Sequence, residues 1–413
     1  MTAFLVELRR SPLRWWLPVF VGLDLAVLLG RSREWEGVWP QASAAAQLPA
    51  FFLSPVLAAA AAWAAGREQR AGAAEQFAAT GRPEWQRQAL QLGVTVCYGL
   101  GGLVPGAAVA AALTVGEGGP GFLWPSYLVL AASLLIIFAA FGHVVGRRFS
   151  SRLMPPLVAG SVFAVFSVVS PILGITLFVL SGPPQSEITL AALGARVFLA
   201  VTVVAVAIVG IPAPRTRRWA SSRTGLAAGA ALAALTAALV TLPSSGALRV
   251  ERAAPHQPLC SDSTPRVCLW PEQRKYLATI TAMAGRLGGL SETVKVPDTF
   301  YEEGLRAPLG TNSDFPVVLG TYAVARSMAG GVLGATLPEL CRTASQRELG
   351  NRIELLEWLV RRTYGAPQPA DEHGGFDYDK PKVEGVLAAP FQRQAAWAKA
   401  QIVQIRAARC ADS

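Results

Sequence analysis

Apolar residues along this chain do not recur with the period of surface helices or alternate as in half-buried strands; they gather into long runs. Seven such runs fall within the first 242 residues, at 15–29, 48–65, 92–114, 124–145, 153–180, 188–211 and 224–242. A bilayer core of about 30 Å is crossed by roughly 20 apolar residues of helix, and its interior offers no water to unpaired backbone groups. The pattern therefore predicts an all-α polytopic membrane protein with about seven transmembrane helices. Trp15, Trp16, Trp63, Trp124 and Trp219 sit at or near the ends of runs, where an amphipathic indole suits the headgroup layer. Residues 243–413 lack a run of this length and predict a separate, mainly α domain, large enough to bury a core of its own. Its helical patterns begin at Pro271 and recur at 317–333, 345–364 and 391–410, with Ile353, Leu356 and Val360 spaced as one helix face against Arg347, Glu354 and Arg361.

Charge orients the runs. Arg9, Arg10 and Arg14 precede the first; Arg67, Arg70, Arg82 and Arg87 lie between the second and third; Arg147, Arg148 and Arg152 follow the fourth; Arg215, Arg217, Arg218 and Arg223 follow the sixth. The opposite loops carry Arg31 and Arg33 beside Glu34 and Glu36. Basic residues stay on the cytoplasmic side, so the N-terminus is expected inside the cell, in the plasma membrane, and seven crossings place the C-terminal domain outside. The formal charge of +10 then has a topological origin: residues 1–242 hold 17 Arg and 9 acidic residues, the remainder 20 basic and 18 acidic. It does not imply a nucleic-acid partner. Ala42, Ser43 and Ala44 resemble a signal-peptidase site but follow a charged stretch well beyond the first run, so that run is expected to stay as an anchor.

The cysteines bear on sidedness independently. Cys260, Cys268, Cys341 and Cys410 all lie in the C-terminal domain and only Cys97 in a span; an even set facing an oxidising compartment reads as two disulfides, with three pairings open. Reduced cysteines packed as small apolar groups are the alternative.

The first thirteen residues, with Phe4, Leu5 and Leu8 against Glu7, Arg9 and Arg10, can form a short helix lying in the membrane interface. The loop after the second run is richer. Gly66 to Arg87 continues the span as a polar helix, turns at Thr80-Gly81 and restarts at Pro83, a favoured first helical residue, with Glu84 placed against the new helix dipole. A charged helical extension, an acidic residue followed by small apolar ones, a Thr-Gly-x-Pro break and an Arg-bearing helix into the third span together resemble the permease subunits of ABC-2 type transporters. In that family this loop supplies the coupling helix that docks on an ATP-hydrolysing subunit; the matching positions are Glu75, Phe77, Thr80, Gly81, Arg82, Pro83, Trp85 and Arg87. The resemblance covers roughly residues 1–211, so 1–223 is expected as a six-span permease domain, 224–242 as an added seventh helix and 243–413 as an extracytoplasmic domain. It implies a separate cytoplasmic ATPase, a dimer or a related second permease subunit, and export of a substrate. The fifth run is too long for one crossing and contains Ser170-Pro171; the resemblance implies short outer-leaflet or re-entrant helices over 171–186, and a tilted, kinked helix is the plain alternative.

Other chemistry is sparse. None of Lys275, Lys295, Lys380, Lys382 and Lys399 follows a glycine, so the chain has no Walker A lysine of its own. Asp24 and Arg196 are the formal charges well inside apolar runs, at about 10 Å and about 12 Å below the outer face by a rise of ~1.5 Å per residue. Matched depth predicts an ion pair or a shared polar cavity. His143 reads as a boundary residue. His256 and His373 lie far apart, and 371–379 reads as a solvated Gly-rich loop rather than a cation site. No cofactor, metal site or catalytic constellation is implied. The rival to a permease is a non-transporting membrane protein that displays its C-terminal domain to a ligand or partner.

Overall fold

The computed structural model describes residues 2–72, 83–117, 121–209, 222–305, 314–317, 320–337, 346–367 and 378–407. They are mostly helical, and they divide between Val250 and Glu251 into two compact units.

The first unit begins with α1 (Thr2–Arg10), a short turn at Pro12–Trp15 and α2 (Leu17–Leu29). Next come α3 (Trp39–Gln47), α4 (Pro49–Ala65), α5 (Glu84–Glu117), α6 (Pro125–Arg148), α7 (Met154–Ile172), α8 (Leu190–Val209) and α9 (Ser222–Ser244). Among the described residues, six stretches are long and apolar enough to cross a membrane: α3 with α4 as one, and α5 to α9. With α2 shorter, at 13 residues, the coarse expectation of a polytopic all-α membrane protein is met.

Small residues set the spacing of this bundle. Ala58 and Ala62 on α4 face Gly142 and Gly146 on α6, and a Cβ at either glycine would overlap the backbone oxygen of the facing alanine. Two helices therefore touch through their main chains, the small-xxx-small packing that suits a solvent as apolar as the side chains. A second seam joins α2 to α5. Phe20, Asp24 and Leu28 are buried on one face of α2, and a Cβ at Gly102 would come 2.7 Å from Phe20 Cβ. Away from these seams the helices present apolar side chains outward, Leu157, Val201 and Leu226 among them, as helices bathed in lipid do.

The segment after α7 departs from both sequence expectations. A π-helical turn at Val165–Val169 precedes Pro171. Pro171 has no N–H for the normal ladder, and a wider turn is one way to absorb that loss. The helix then stops at Ile172: Gly174 takes φ +65°, and Ile175 N–H donates to Ser170 O at 3.0 Å, a glycine-based C-terminal stop. Residues 173–185 form no helix, so neither re-entrant helices nor one continuous kinked helix is present. The chain is held instead by side chains from elsewhere: Val179 N–H donates to Gln47 Oε1 at 2.9 Å, and Arg196 donates to Thr176 O. It runs into β1 (Ser186–Ile188), which pairs with β2 (Arg249–Glu251).

The second unit contains β3 (Leu259–Cys260), β4 (Arg266–Leu269), α10 (Leu277–Gly288), β5 (Thr299–Glu302), β6 (Asp314–Phe315), α11 (Thr321–Thr336), α12 (Gln346–Tyr364), α13 (Lys380–Ala388) and α14 (Phe391–Ala407). Its strands form one sheet in the order β3-β4-β5-β6, antiparallel at β3–β4 and parallel elsewhere. Strands of two to four residues are too short for a period-of-two pattern, which is why the sequence shows only helices. One core joins sheet and helices through Val267, Phe300, Phe315, Met328, Leu355 and Trp358; each large side chain so buried contributes roughly 1.5–3 kcal/mol. Cys260 and Cys268 stand opposite each other in the β3–β4 hairpin and form a disulfide. Cys341 and Cys410 lie outside the described residues.

The α4–α6 seam makes a sharp expectation. Gly142→Ala and Gly146→Ala should each destabilise the protein by about 1–3 kcal/mol, because a facing backbone cannot step aside. Gly160→Ala, whose Cβ would meet nothing within 4 Å, should be neutral. Thermal unfolding of the three variants in one detergent checks this.

Candidate functional site

The loop between α4 and α5 is the candidate site, and its base is a set of polar contacts built into the end of the first unit. α4 ends at Ala65, and the chain turns at Gly66, where a Cβ would come 3.1 Å from Gly146 O. A one-turn helix follows at Arg67–Arg70. On the other side of the loop α5 starts at Glu84, eight residues before the apolar run. Those eight carry Glu84, Gln88 and Gln91 on one face, and that face is turned into the bundle.

Each of the three finds a partner. Glu84 Oε1 accepts from Arg147 Nη2 at 2.6 Å, and Arg147 Nη1 donates to Ala207 O at 3.1 Å near the end of α8. Gln88 Oε1 lies 2.8 Å from His143 Nε2, with the imidazole wholly buried. Gln91 Nε2 donates to Ala64 O at 2.7 Å. From the near limb, Gln69 Nε2 donates to Arg147 O at 3.0 Å. Arg87 and Glu68, 3.8 Å apart, tie the two limbs together. One buried arginine thus holds the start of α5, the end of α8 and, through its carbonyl, the helix after α4. A buried cation released from its carboxylate is costly, so movement of the loop is expected to carry these helices with it.

α1 is fastened to the same end of the bundle. Tyr98 Oη donates to Leu8 O at 2.6 Å, Phe4 packs at Gly93, and Glu7 lies 3.7 Å from Arg67. The cavity beneath it, lined by Glu7, Ser11, Ala64, Arg67, Gln91 and Thr95 among others, has room for about one water. It is too small for a substrate.

The expected loop residues divide in two. Glu75, Phe77, Thr80, Gly81 and Arg82 lie outside the described residues. Pro83 precedes α5, Trp85 is 53 % exposed, and Arg87 makes the contact with Glu68. The fastening residues Gln69, Glu84, Gln88, His143 and Arg147 are a site that the sequence reading passes over. The signal is present as two polar pairs at i, i+4, Glu84/Gln88 and His143/Arg147, at the adjoining ends of neighbouring runs.

Asp24 and Arg196 are not brought together. Asp24 is wholly buried and its Oδ2 accepts from Gly106 N–H at 2.7 Å; Pro105 precedes that residue inside α5, and the missing side chain of Gly106 makes room for the carboxylate. Arg196, 3 % exposed, donates from Nη1 to Ala192 O at 2.8 Å and from Nη2 to Thr176 O. One residue docks α2 on α5; the other pins the chain after α7 to α8. Depth along a helix fixes one coordinate of three, and the expected ion pair is corrected by the other two.

No protein-family model matches the chain, and no curated protein and no solved structure matches it either.

With separate partners, the two charges should act independently. Asp24→Asn keeps an acceptor for Gly106 and should cost less than Asp24→Ala, for which about 1–3 kcal/mol is expected from the stranded amide. The losses of Asp24→Asn and Arg196→Gln should add within about 0.5 kcal/mol in the double variant, measured by denaturation in detergent. A rescue in the double variant would restore the ion pair.

Proposed function

We propose that this chain is the membrane subunit of an ABC-2 type ATP-binding-cassette transporter, driven by an ATPase on a separate cytoplasmic polypeptide. The observation that carries the reading is the base of the α4–α5 loop. A loop that receives force from a nucleotide-driven partner must be fastened to more than one span, and Arg147 links its far limb, Glu84, to α6 and to the end of α8. Trp85 and the stretch 75–82 offer the ATPase apolar and basic contacts of the kind that dominate protein interfaces. The chain works as a dimer or beside a related permease subunit, and the direction is export of a substrate.

In this reading the chain crosses seven times and its N-terminus is cytoplasmic. At 13 residues, α2 rises only about 20 Å, less than the other candidate spans. It is supported as a crossing by Asp24, which docks it deep against α5, and by the exposed Trp15 and Trp16 at its start. The Cys260–Cys268 disulfide favours an oxidising compartment for the second unit. An odd number of crossings from a cytoplasmic N-terminus delivers it there. The rival reading, display without transport, draws on the second unit's own large core.

Affinity purification from the native membrane separates the two. A stand-alone ATPase should accompany the protein, and Arg82→Glu with Arg87→Glu should reduce its recovery about tenfold or more, equivalent to about 1.4 kcal/mol, with membrane insertion unchanged. Glu68→Arg combined with Arg87→Glu controls for the contact between the limbs. A bound ATPase indifferent to the double reversal would make the loop a connector; no ATPase at all would favour display.

A further inference from the structure

The second unit buries a carboxylic acid in a place that its neighbours make hostile to a carboxylate. Glu302, at the end of β5, is 1 % exposed. Its Oε2 accepts from the backbone N–H of Trp270 at 2.9 Å, and Trp270 in turn donates its indole N–H to Glu303 O at 3.0 Å. Trp270 immediately precedes a short helical turn, Pro271–Tyr276, that leads into α10. Over the indole lies Arg252, 4.4 Å from the ring centroid, and both terminal nitrogens of its guanidinium hold Glu272 Oε1 at 2.9 Å. These contacts make a clasp. It ties the first residues of the unit to the turn, and the turn to the sheet.

Inside the clasp several buried polar atoms lack a well-formed hydrogen bond: Glu302 Oε1, Glu272 Oε2 and both amide atoms of Gln273, a wholly buried residue whose side chain lies within reach of the Glu302 carboxyl. The charged groups facing Glu302 are Glu272 from the turn and Glu303 from the strand end, both acidic, while Arg252 is engaged by Glu272 and the indole. Gln273 suits either state of its neighbour. Rotation of its amide presents an oxygen to a protonated carboxyl or an NH2 to an ionised one.

We propose that Glu302 is a proton-operated latch: as a neutral acid it closes the clasp of Arg252, Trp270 and Glu272 over Gln273, and its ionisation loosens that clasp. Burial first, and then the like charges of Glu272 and Glu303, push the Glu302 carboxyl up to about 8, against the pull of the Trp270 N–H and, more weakly, of the Gln273 amide. The closed form thus keeps its proton at pH values where an opened, hydrated glutamate has lost it. Linkage sets the sign. Below the ordinary glutamate value of 4.5 both forms are protonated and pH has no leverage; between 4.5 and about 8 the open form gains, by up to about tenfold per pH unit. Above that window the ratio levels off. The second unit would so report on ambient proton concentration whatever the membrane unit does.

Two measurements on the full-length protein in nanodiscs test this. Infrared difference spectroscopy should find a protonated-carboxyl band that titrates with a midpoint near 8 and is missing from Glu302→Gln. Hydrogen exchange, corrected for intrinsic rates, should show opening of peptides within 252–276 rising with pH through the window and then levelling, but flat with pH in Glu302→Gln. Glu272→Gln removes a like charge, so it should move the band's midpoint down; it serves as a second variant if Glu302→Gln fails to fold. A carboxylate band already complete at neutral pH, or opening indifferent to pH in the natural protein, would overturn the proposal. So would loss of protection on adding a chelator at fixed pH, which would place a cation between the oxygens instead of a proton.

Discussion

The close approach of α4 and α6 is the constraint on which the first unit depends. Ala58 and Ala62 meet Gly142 and Gly146 main chain to main chain, and van der Waals contact at that distance is available only where neither helix carries a side chain larger than methyl. His143 and Arg147 each come directly after one of those glycines in sequence, so the seam also sets where the two polar side chains point. Gly66, at the turn out of α4, approaches Gly146 O. The loop therefore leaves the bundle beside the arginine that holds its other limb. Packing along the α4–α6 seam and fastening at the loop end of the bundle are one arrangement.

Much of this was legible in the sequence, and the boundaries of legibility are physical. Runs of apolar residues announce helices in lipid without reference to tertiary contacts, and α5 to α9 fall where the runs fall. The short α2 and the extension of the second run back through α3 depend on packing: Ser43 Oγ donates to Trp39 O and accepts from Trp124 N–H, and that pair of bonds holds a helix the hydropathy pattern leaves out. The segment after α7 was half legible. Pro171 marks the break, but the path of residues 173–185 is decided by Gln47 and Arg196, distant in sequence. Asp24 shows the limit most clearly, since a buried carboxylate asks for a donor and a backbone amide beside a proline and a glycine serves as well as an arginine.

The second unit shows the same division. Its helices carry the 3.6-residue period, but the sheet on which they pack consists of strands too short to have a pattern. The Cys260–Cys268 link was one of several pairings open to the sequence, and strand register decides it by placing the two residues opposite each other. Glu302 has no sequence signature at all. Its surroundings arise only in the folded unit, where burial sets it beside Glu272 and Glu303.

The proposed transporter puts the α4–α5 loop inside, against an ATPase, and the disulfide-bearing unit outside, and the two placements are compatible only if the chain crosses an odd number of times between them, as α5 to α9 would. Sidedness is therefore the most direct test. Single cysteines at Trp85 and Val403, both well exposed within their own units, would be introduced into a chain otherwise free of reactive thiols and treated with a membrane-impermeant maleimide. The Val403→Cys protein should label in intact cells, and the Trp85→Cys protein only after permeabilisation. Labelling of both from the same side would mean an even number of crossings between them and would contradict both the topology and the transporter reading built on it.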